Sequence, residues 1–347
     1  MFTYRPIKTF LSFLVAMTCA LAFTVSASAA ESAKAFYKGK TVKFVVGYGP
    51  GGGYDTYARM LAPYLTKVLG ATVVVENQPG AGGINALNKV YGAAPDGLQI
   101  MIVNGTGAAL NQLIGTASVH FDLSKIGHLG TVSASPWVWI VHPGFTPTTP
   151  TAIMKSGKTL RWGGAGIADA LSDGADMTCE ALNLKCKVVI GYKGSHDVAL
   201  AVARGEMDAM YVSDTSANDY VRNKEAVPVA SMSPERSRFF PDLKTIYEDI
   251  KMTPEQKWWF DFRSKLDDMG RILVTTPGIP KDRLEYLQAA VKKVLTDPKL
   301  IAEGEKSQRY IKYINADKTR ASALSLVASI SAERKKQVKE VVEVKFH

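Results

Sequence analysis

Five glycines within seven residues, Gly47, Gly49, Gly51, Gly52 and Gly53, follow one apolar run and precede another. A turn without Cβ atoms lets a ligand approach the backbone closely. A helix starting near Tyr54 points free N–H groups and a partial positive charge into that turn. The chemistry this provides is anion binding, and a carboxylate suits it as well as a phosphate. Gly47, Gly49 and Gly52 satisfy the dinucleotide pattern G-x-G-x-x-G, and Glu76 sits where a ribose-binding acid would stand. Three observations oppose that reading. Tyr54 and Asp55 bring a ring and a negative charge to the pyrophosphate position, Pro50 removes a loop N–H, and the leader described below directs the chain away from soluble nicotinamide cofactors. No Lys-Ser/Thr pair follows the glycines, which excludes a P-loop.

The elements that position this loop alternate between strand and helix patterns, which predicts α/β layers around parallel sheets. Val42–Val46 reads as a buried strand, and Tyr57, Leu61, Leu65 and Leu69 recur at helical spacing. Thr72–Glu76, Leu98–Val103, Trp137–Val141, Lys187–Ile190, Asp208–Val212 and Arg271–Thr275 read as further strands. A second strand–glycine loop–helix unit follows Leu160-Arg161-Trp162, with Gly163, Gly164 and Gly166 in the loop. Two such units predict two similar lobes facing each other across a cleft.

Residues 1–30 read as an export leader: basic Arg5 and Lys8, an apolar Phe10–Phe23, and small residues at Ala27-Ser28-Ala29 or Ser28-Ala29-Ala30. The apolar run is shorter than the roughly 20 residues of a spanning helix. Its removal leaves 317 residues, enough for two medium domains. The chain holds 42 basic and 32 acidic residues, and the leader takes two of the basic ones, leaving +8. That scattered excess favours anions only weakly, and no nucleic-acid module is present. Cys179 and Cys186 are spaced C-x6-C; in an oxidising compartment they form a disulfide from a helix end to the next strand, or remain two buried thiols. The spacing fits neither a redox nor a zinc pair, and no metal is expected.

Five segments in order, GPGGGYDTYAR (49–59), VVVENQPGAGGINA (73–86), APDGLQIMIV (94–103), GYKGSHDVALAVARGEMDAMY (191–211) and VTTPGIPKDRLEYLQAAVKKVLTDPKL (274–300), resemble the substrate-binding receptors of tripartite tricarboxylate transporters, the Bug-type family. The resemblance covers nearly the whole exported chain. It implies a two-lobed type II periplasmic binding fold with hinge crossover strands. One lobe would hold residues 31–134 and 266–347, the other 135–265. It further implies a periplasmic monomer without cofactor, which passes a small organic acid to a membrane permease. Ligand carboxylates are held by backbone loops in such proteins, often through water.

Carried over by position, Tyr48, Pro50, Gly51, Gly52 and Gly53 form the first-lobe loop, and Asn104 and Thr106 add polar contacts at a strand end. Asp55 is read as a helix-start residue. In the second lobe the family's Ser-x-Gly-x-Gly-Ser segment is replaced by Gly164-Ala165-Gly166-Ile167-Ala168-Asp169, with Ser172 where a histidine is usual. Asp169 repels an anion unless it turns away or caps its helix. The change favours a ligand with a donor group, or with one carboxylate and a bulkier body. Tyr192 in the Tyr192-Lys193-Gly194 turn and Asp214 complete the expected contacts. Trp137, Trp139, Trp162 and Trp258-Trp259 would either stack on an aromatic acid or fill the core.

Catalytic patterns are missing from the sequence. His120, His128, His142, His196 and His347 form no paired metal spacing, no G-x-S-x-G elbow occurs, and the adjacent Ser195-His196 do not by themselves make a nucleophile and base. The expectation is a binding protein rather than an enzyme. A sensor for a membrane signalling partner and, more remotely, a secreted hydrolase remain the alternatives.

Overall fold

The computed structural model describes residues 33–327 and 330–347; the proposed leader, residues 1–30, lies outside them. Among the described residues ten strands form two five-stranded sheets. The first contains β1 (Thr41–Val46), β2 (Thr72–Asn77), β3 (Gln99–Asn104), β4 (Gly127–Ser133) and β10 (Arg271–Thr275), in the order β2-β1-β3-β10-β4. The second contains β5 (Trp137–Val141), β6 (Thr159–Gly163), β7 (Lys185–Val189), β8 (Ala209–Ser213) and β9 (Val227–Ser231), in the order β7-β6-β8-β5-β9. The fold is the two-lobed α/β arrangement expected. The sheets are mixed rather than parallel, however. β10 runs antiparallel to β3 and β4, and β5 runs antiparallel to β8 and β9.

Those two reversed strands are where the chain changes sheet. β4 leaves the first sheet at Ser133 and β5 enters the second at Trp137; β10 later returns the chain to the first. An antiparallel strand starts beside the carboxyl ends of its parallel neighbours, so its first residue lands at the ligand edge of the sheet. Arg271 accordingly pairs with Asn104 and Ser133, and Trp137 pairs with Ser213.

Helix α1 (Gly53–Leu69) follows β1 and buries Tyr57, Leu61, Leu65 and Leu69 against the first sheet, the face its spacing predicts. Each such side chain stabilises the lobe by about 1.5–3 kcal/mol. Gly70, in the left-handed region at φ 68°, ends α1 by donating its N–H to the Thr66 carbonyl. Helix α2 (Gly105–Ile114) follows β3, and α3 (Ala170–Ala181) follows the β6 loop. Helix α4 (Asp214–Arg222) starts directly after β8, and α5 (Pro254–Asp267) leads into β10.

Cys179 and Cys186 are joined in a disulfide, closing α3 onto β7. Residues 341–347 depart from the grouping expected for the first lobe. The Phe346 carbonyl accepts from Val188 N–H of β7 at 2.7 Å, and His347 meets buried Asp176 of α3 at 3.3 Å. Among the described residues no helix is long and apolar enough to cross a membrane.

Candidate ligand-binding site

The strand β1 delivers Tyr48 and the glycine loop to the cleft. Gly52 begins α1 in extended conformation, and no side chain caps this helix start. Asp55, in its first turn, folds back instead. Its Oδ2 accepts from Gly51 N–H and Arg59 Nε, both at 3.0 Å, and its Oδ1 accepts from Asn77 Nδ2 at 2.9 Å. Burial pushes the Asp55 carboxyl up, but these donors together hold it below its ordinary value. Asp55 therefore shapes the loop, as its helix-start position suggests. Beside it the Tyr48 and Tyr54 rings stack at 4.7 Å.

The opposite wall comes from the second lobe. Asp169 caps α3 by accepting from Leu171 N–H at 3.2 Å. It also reaches across the cleft, accepting from Tyr48 Oη at 2.6 Å and Asn104 Nδ2 at 3.2 Å. Burial raises the Asp169 carboxyl above its ordinary value despite these donors. Further contacts draw the lobes together: Gly49 N–H to the Lys193 carbonyl at 2.7 Å, Gly82 N–H to the Ala165 carbonyl at 3.3 Å, and Asn111 Nδ2 to the Ala168 carbonyl at 3.0 Å. Between the walls lies a narrow cavity of about 30 Å³.

Arg271 forms one end of this cavity and is the residue that motif reasoning missed. It is 5 % exposed. Its Nη2 donates to Ser213 Oγ at 3.0 Å and its Nη1 to Ser133 Oγ at 3.3 Å. Its Nε has no partner among the described residues. The guanidinium lies 5.2 Å from the Tyr54 ring centroid and 4.8 Å from that of Tyr57. Among the described residues no carboxylate makes a salt bridge with it. Isolated buried charges cost several kcal/mol. The other two buried arginines among the described residues are compensated: Arg263 pairs with Asp173 at 2.7 Å and with Asp267, and Arg309 pairs with Asp219.

Of the expected contacts, Tyr48, Gly52, Gly53, Asn104 and Asp169 line the cavity, as do Tyr54, Trp137, Leu171, Ser195, Ser213 and Ser216. The remaining expected residues stand elsewhere. Pro50 and Gly51 are exposed at the rim. Thr106 is buried beneath the cleft and donates its hydroxyl to the Leu266 carbonyl. Gly164 donates its N–H to the Val189 carbonyl and packs against Ser172, whose hydroxyl bonds the Gly166 carbonyl at 2.6 Å. Gly166 touches the first lobe rather than the cavity: a Cβ there would lie 2.5 Å from the Ala81 carbonyl carbon. Tyr192 is half-buried outside the lining, and the Lys193 side chain is exposed. Asp214 lies behind the wall, accepting from the Ser237 hydroxyl at 3.0 Å. Among the tryptophans only Trp137 reaches the cavity. Trp139 and Trp162 pack together in the core at 5.2 Å, and Trp258 stacks on Phe262 within α5.

Among the described residues no group of three or more His, Cys, Asp or Glu side chains is placed to hold a metal ion. The arrangement binds rather than reacts: donors, one cation and apolar walls face a space that the two lobes close.

Known proteins agree with this geometry. The pattern of the family described as the tripartite tricarboxylate transporter family receptor matches residues 57–325. A UPF0065 protein of Bordetella pertussis is 25 % identical over 288 residues, covering 82 % of this chain and 84 % of that one. The solved structure of the periplasmic binding protein BugD superposes with a TM-score of 0.72 at 23 % identity, covering 88 % of this chain and 98 % of that one. MatC from Rhodopseudomonas palustris, solved with bound malate, superposes with a TM-score of 0.70 at 22 % identity, covering 88 % and 99 %. The matched family and these neighbours are binding proteins, not enzymes.

Proposed function

This chain belongs to the tripartite tricarboxylate transporter receptor family, and on that premise we propose that it captures a small organic acid in the periplasm and delivers it to a membrane permease. The observation that carries this reading is the convergence of the uncapped start of α1 and the guanidinium of Arg271, which has no salt-bridging carboxylate among the described residues, on one space between the lobes. Both features stabilise an anion, and neither activates a nucleophile. The malate bound by MatC, a structural neighbour, is an anion of the same class.

The mechanism is closure. A cavity of about 30 Å³ admits cargo only when the lobes part. Cargo that touches both walls then shifts the population toward a form closed around it, with the walls farther apart than in the empty cleft. In this reading the lobes divide near residues 134/135 and 265/266. The receptor acts as a monomer without cofactor, after residues 1–30 are removed.

Thermal shift with aliphatic, hydroxy, aromatic and amino acids, and a nicotinamide dinucleotide as control, tests the reading. An acid at about 100 times its Kd should add about 2.7 kcal/mol of stability, a rise of several degrees in Tm. Gly52→Leu should abolish that rise while leaving the basal Tm within a few degrees, because a Cβ at Gly52 already lies 3.1 Å from Ser195 Oγ and the rest of the side chain would fill the cavity. A response to the dinucleotide alone would return the chain to the enzyme class.

A further inference from the structure

We infer that Arg271 is the carboxylate anchor of the cleft, and that the cargo is a monocarboxylate with an apolar body. The inference rests on the receptor reading above and narrows it to one ligand class. Three groups converge at the Arg271 end. A Cβ added to Gly53 would lie 3.2 Å from Arg271 Nη2 and 3.0 Å from Ser216 Oγ, so the bare backbone at the start of α1, a guanidinium and a hydroxyl surround one point. The Tyr54 and Tyr57 rings lie close enough to the guanidinium to attract it and to cover part of it with apolar surface. With its Nε unpartnered and no salt bridge among the described residues, Arg271 has capacity for a two-point contact with a carboxylate. Asp214 lies within its electrostatic reach but outside salt-bridge distance, with Oδ2 engaged by Ser237.

The other end of the cavity has the opposite character. Asp169 already supplies a buried carboxylate there, taking donors from Tyr48, Asn104 and Leu171. A second ligand carboxylate would face that charge in a low-dielectric space. Three donors already take most of the acceptor positions of that carboxylate, which weakens the advantage expected for a donor-bearing cargo. Between the ends stand Trp137, Leu171 and Val212, an apolar wall suited to a hydrocarbon or ring.

Calorimetric titration with hexanoate, adipate and benzoate tests both halves. Hexanoate and adipate share their length and differ by one carboxylate. The purified receptor should bind hexanoate or benzoate at least about 30-fold tighter than adipate, and Arg271→Gln should weaken the preferred monocarboxylate by a similar factor. Arg271→Lys should recover part of the loss, and Asp169→Asn should narrow the preference for one carboxylate over two. Circular dichroism and the basal Tm report whether Arg271→Gln folds. Should it not, Gly53→Ala, which crowds Nη2 without changing charge, should weaken monocarboxylates about tenfold. Adipate binding tighter than hexanoate, or a folded Arg271→Gln binding within threefold of the parent, would overturn the anchor while leaving the receptor intact. Silence of the parent protein across every acid class would overturn the receptor reading and the anchor together.

Discussion

Tyr48 and Asp169 stand on different lobes, and their 2.6 Å hydrogen bond is a contact the closed form alone can make. Burial holds the Tyr48 phenol well above its ordinary value, and the neighbouring Asp169 charge adds to that, so the proton stays on the tyrosine and is donated to the carboxylate. Tyr48→Phe should lower stability by about 1.5–3 kcal/mol, the worth of a hydrogen bond to a charged group. Urea unfolding at unchanged m would read the loss, and a midpoint equal to the parent's would show that the lobes are held by other contacts. The sequence made Asp169 conspicuous because it stands where the family has a serine, and capping was one of the two outcomes it allowed. Arg271 was legible only as the first residue of a strand. A lone arginine there carries no motif. Its place in the cleft follows from β10 running antiparallel beside β3, and strand direction is not written in hydrophobic periodicity.

The two glycine loops, as elements, serve different ends from those their spacing suggested. The first does begin a helix aimed at the cavity. The second, around Gly164 and Gly166, lets the lobes approach: a Cβ on Gly166 would meet the backbone of Ala81 and Gly82 at 2.5 and 2.6 Å, where no side chain can yield. Gly166→Ala should therefore hold the lobes apart at a cost of about 1–3 kcal/mol to closure, weakening ligand binding roughly 5- to 150-fold. Small-angle scattering should show a larger radius of gyration, and a variant as compact and as tight-binding as the parent would remove Gly166 from the closure contact. The strand–helix alternation was readable because β-branched runs and 3.6-residue spacing are local. The disulfide was readable only as a possibility, since C-x6-C does not determine pairing. Removing it by paired Cys179→Ala and Cys186→Ala should cost about 2.5 kcal/mol, from the entropy of the short loop it closes. Equal unfolding midpoints with and without a reductant would contradict that. The docking of residues 341–347 on β7 and α3 was not legible, because it depends on a long-range contact with no periodic mark.

Across the whole molecule, buried acids set how stability responds to pH. Arg263 lies between Asp173 and Asp267, and burial keeps both carboxyls raised against its pull, helped at Asp173 by repulsion from Asp169 and Asp267 and at Asp267 by Asp268. Burial also raises Asp176 to about 7 and Asp214 to about 6, against the pull of His347 and Ser237 respectively. A raised folded-state value means that the folded chain binds more protons than the unfolded one. The stability contributed by these groups is complete below the ordinary carboxylate range and is lost progressively from there until pH has risen through their folded values, about 6 to 8. His347, raised by its hydrogen bond to Asp176, acts in the same direction. Buried His128, whose value burial lowers, acts in the opposite direction, because it must stay neutral in the fold. Asp55 and Asp208, held low by arginine and backbone donors that outweigh burial, contribute stability that disappears as pH falls through the carboxylate range. The raised carboxylates outnumber the lowered histidine between those limits. Calorimetric scans should therefore find the highest Tm near the top of the ordinary carboxylate range, about pH 4 to 5, declining until about pH 8. Asp173→Asn should flatten the alkaline decline, since Arg263 then faces a single acid. A Tm that climbs steadily from pH 5 to 8.5 in the parent would mean that the buried aspartates are ionised without strain, with the protonation balance of the Arg263 cluster reversed.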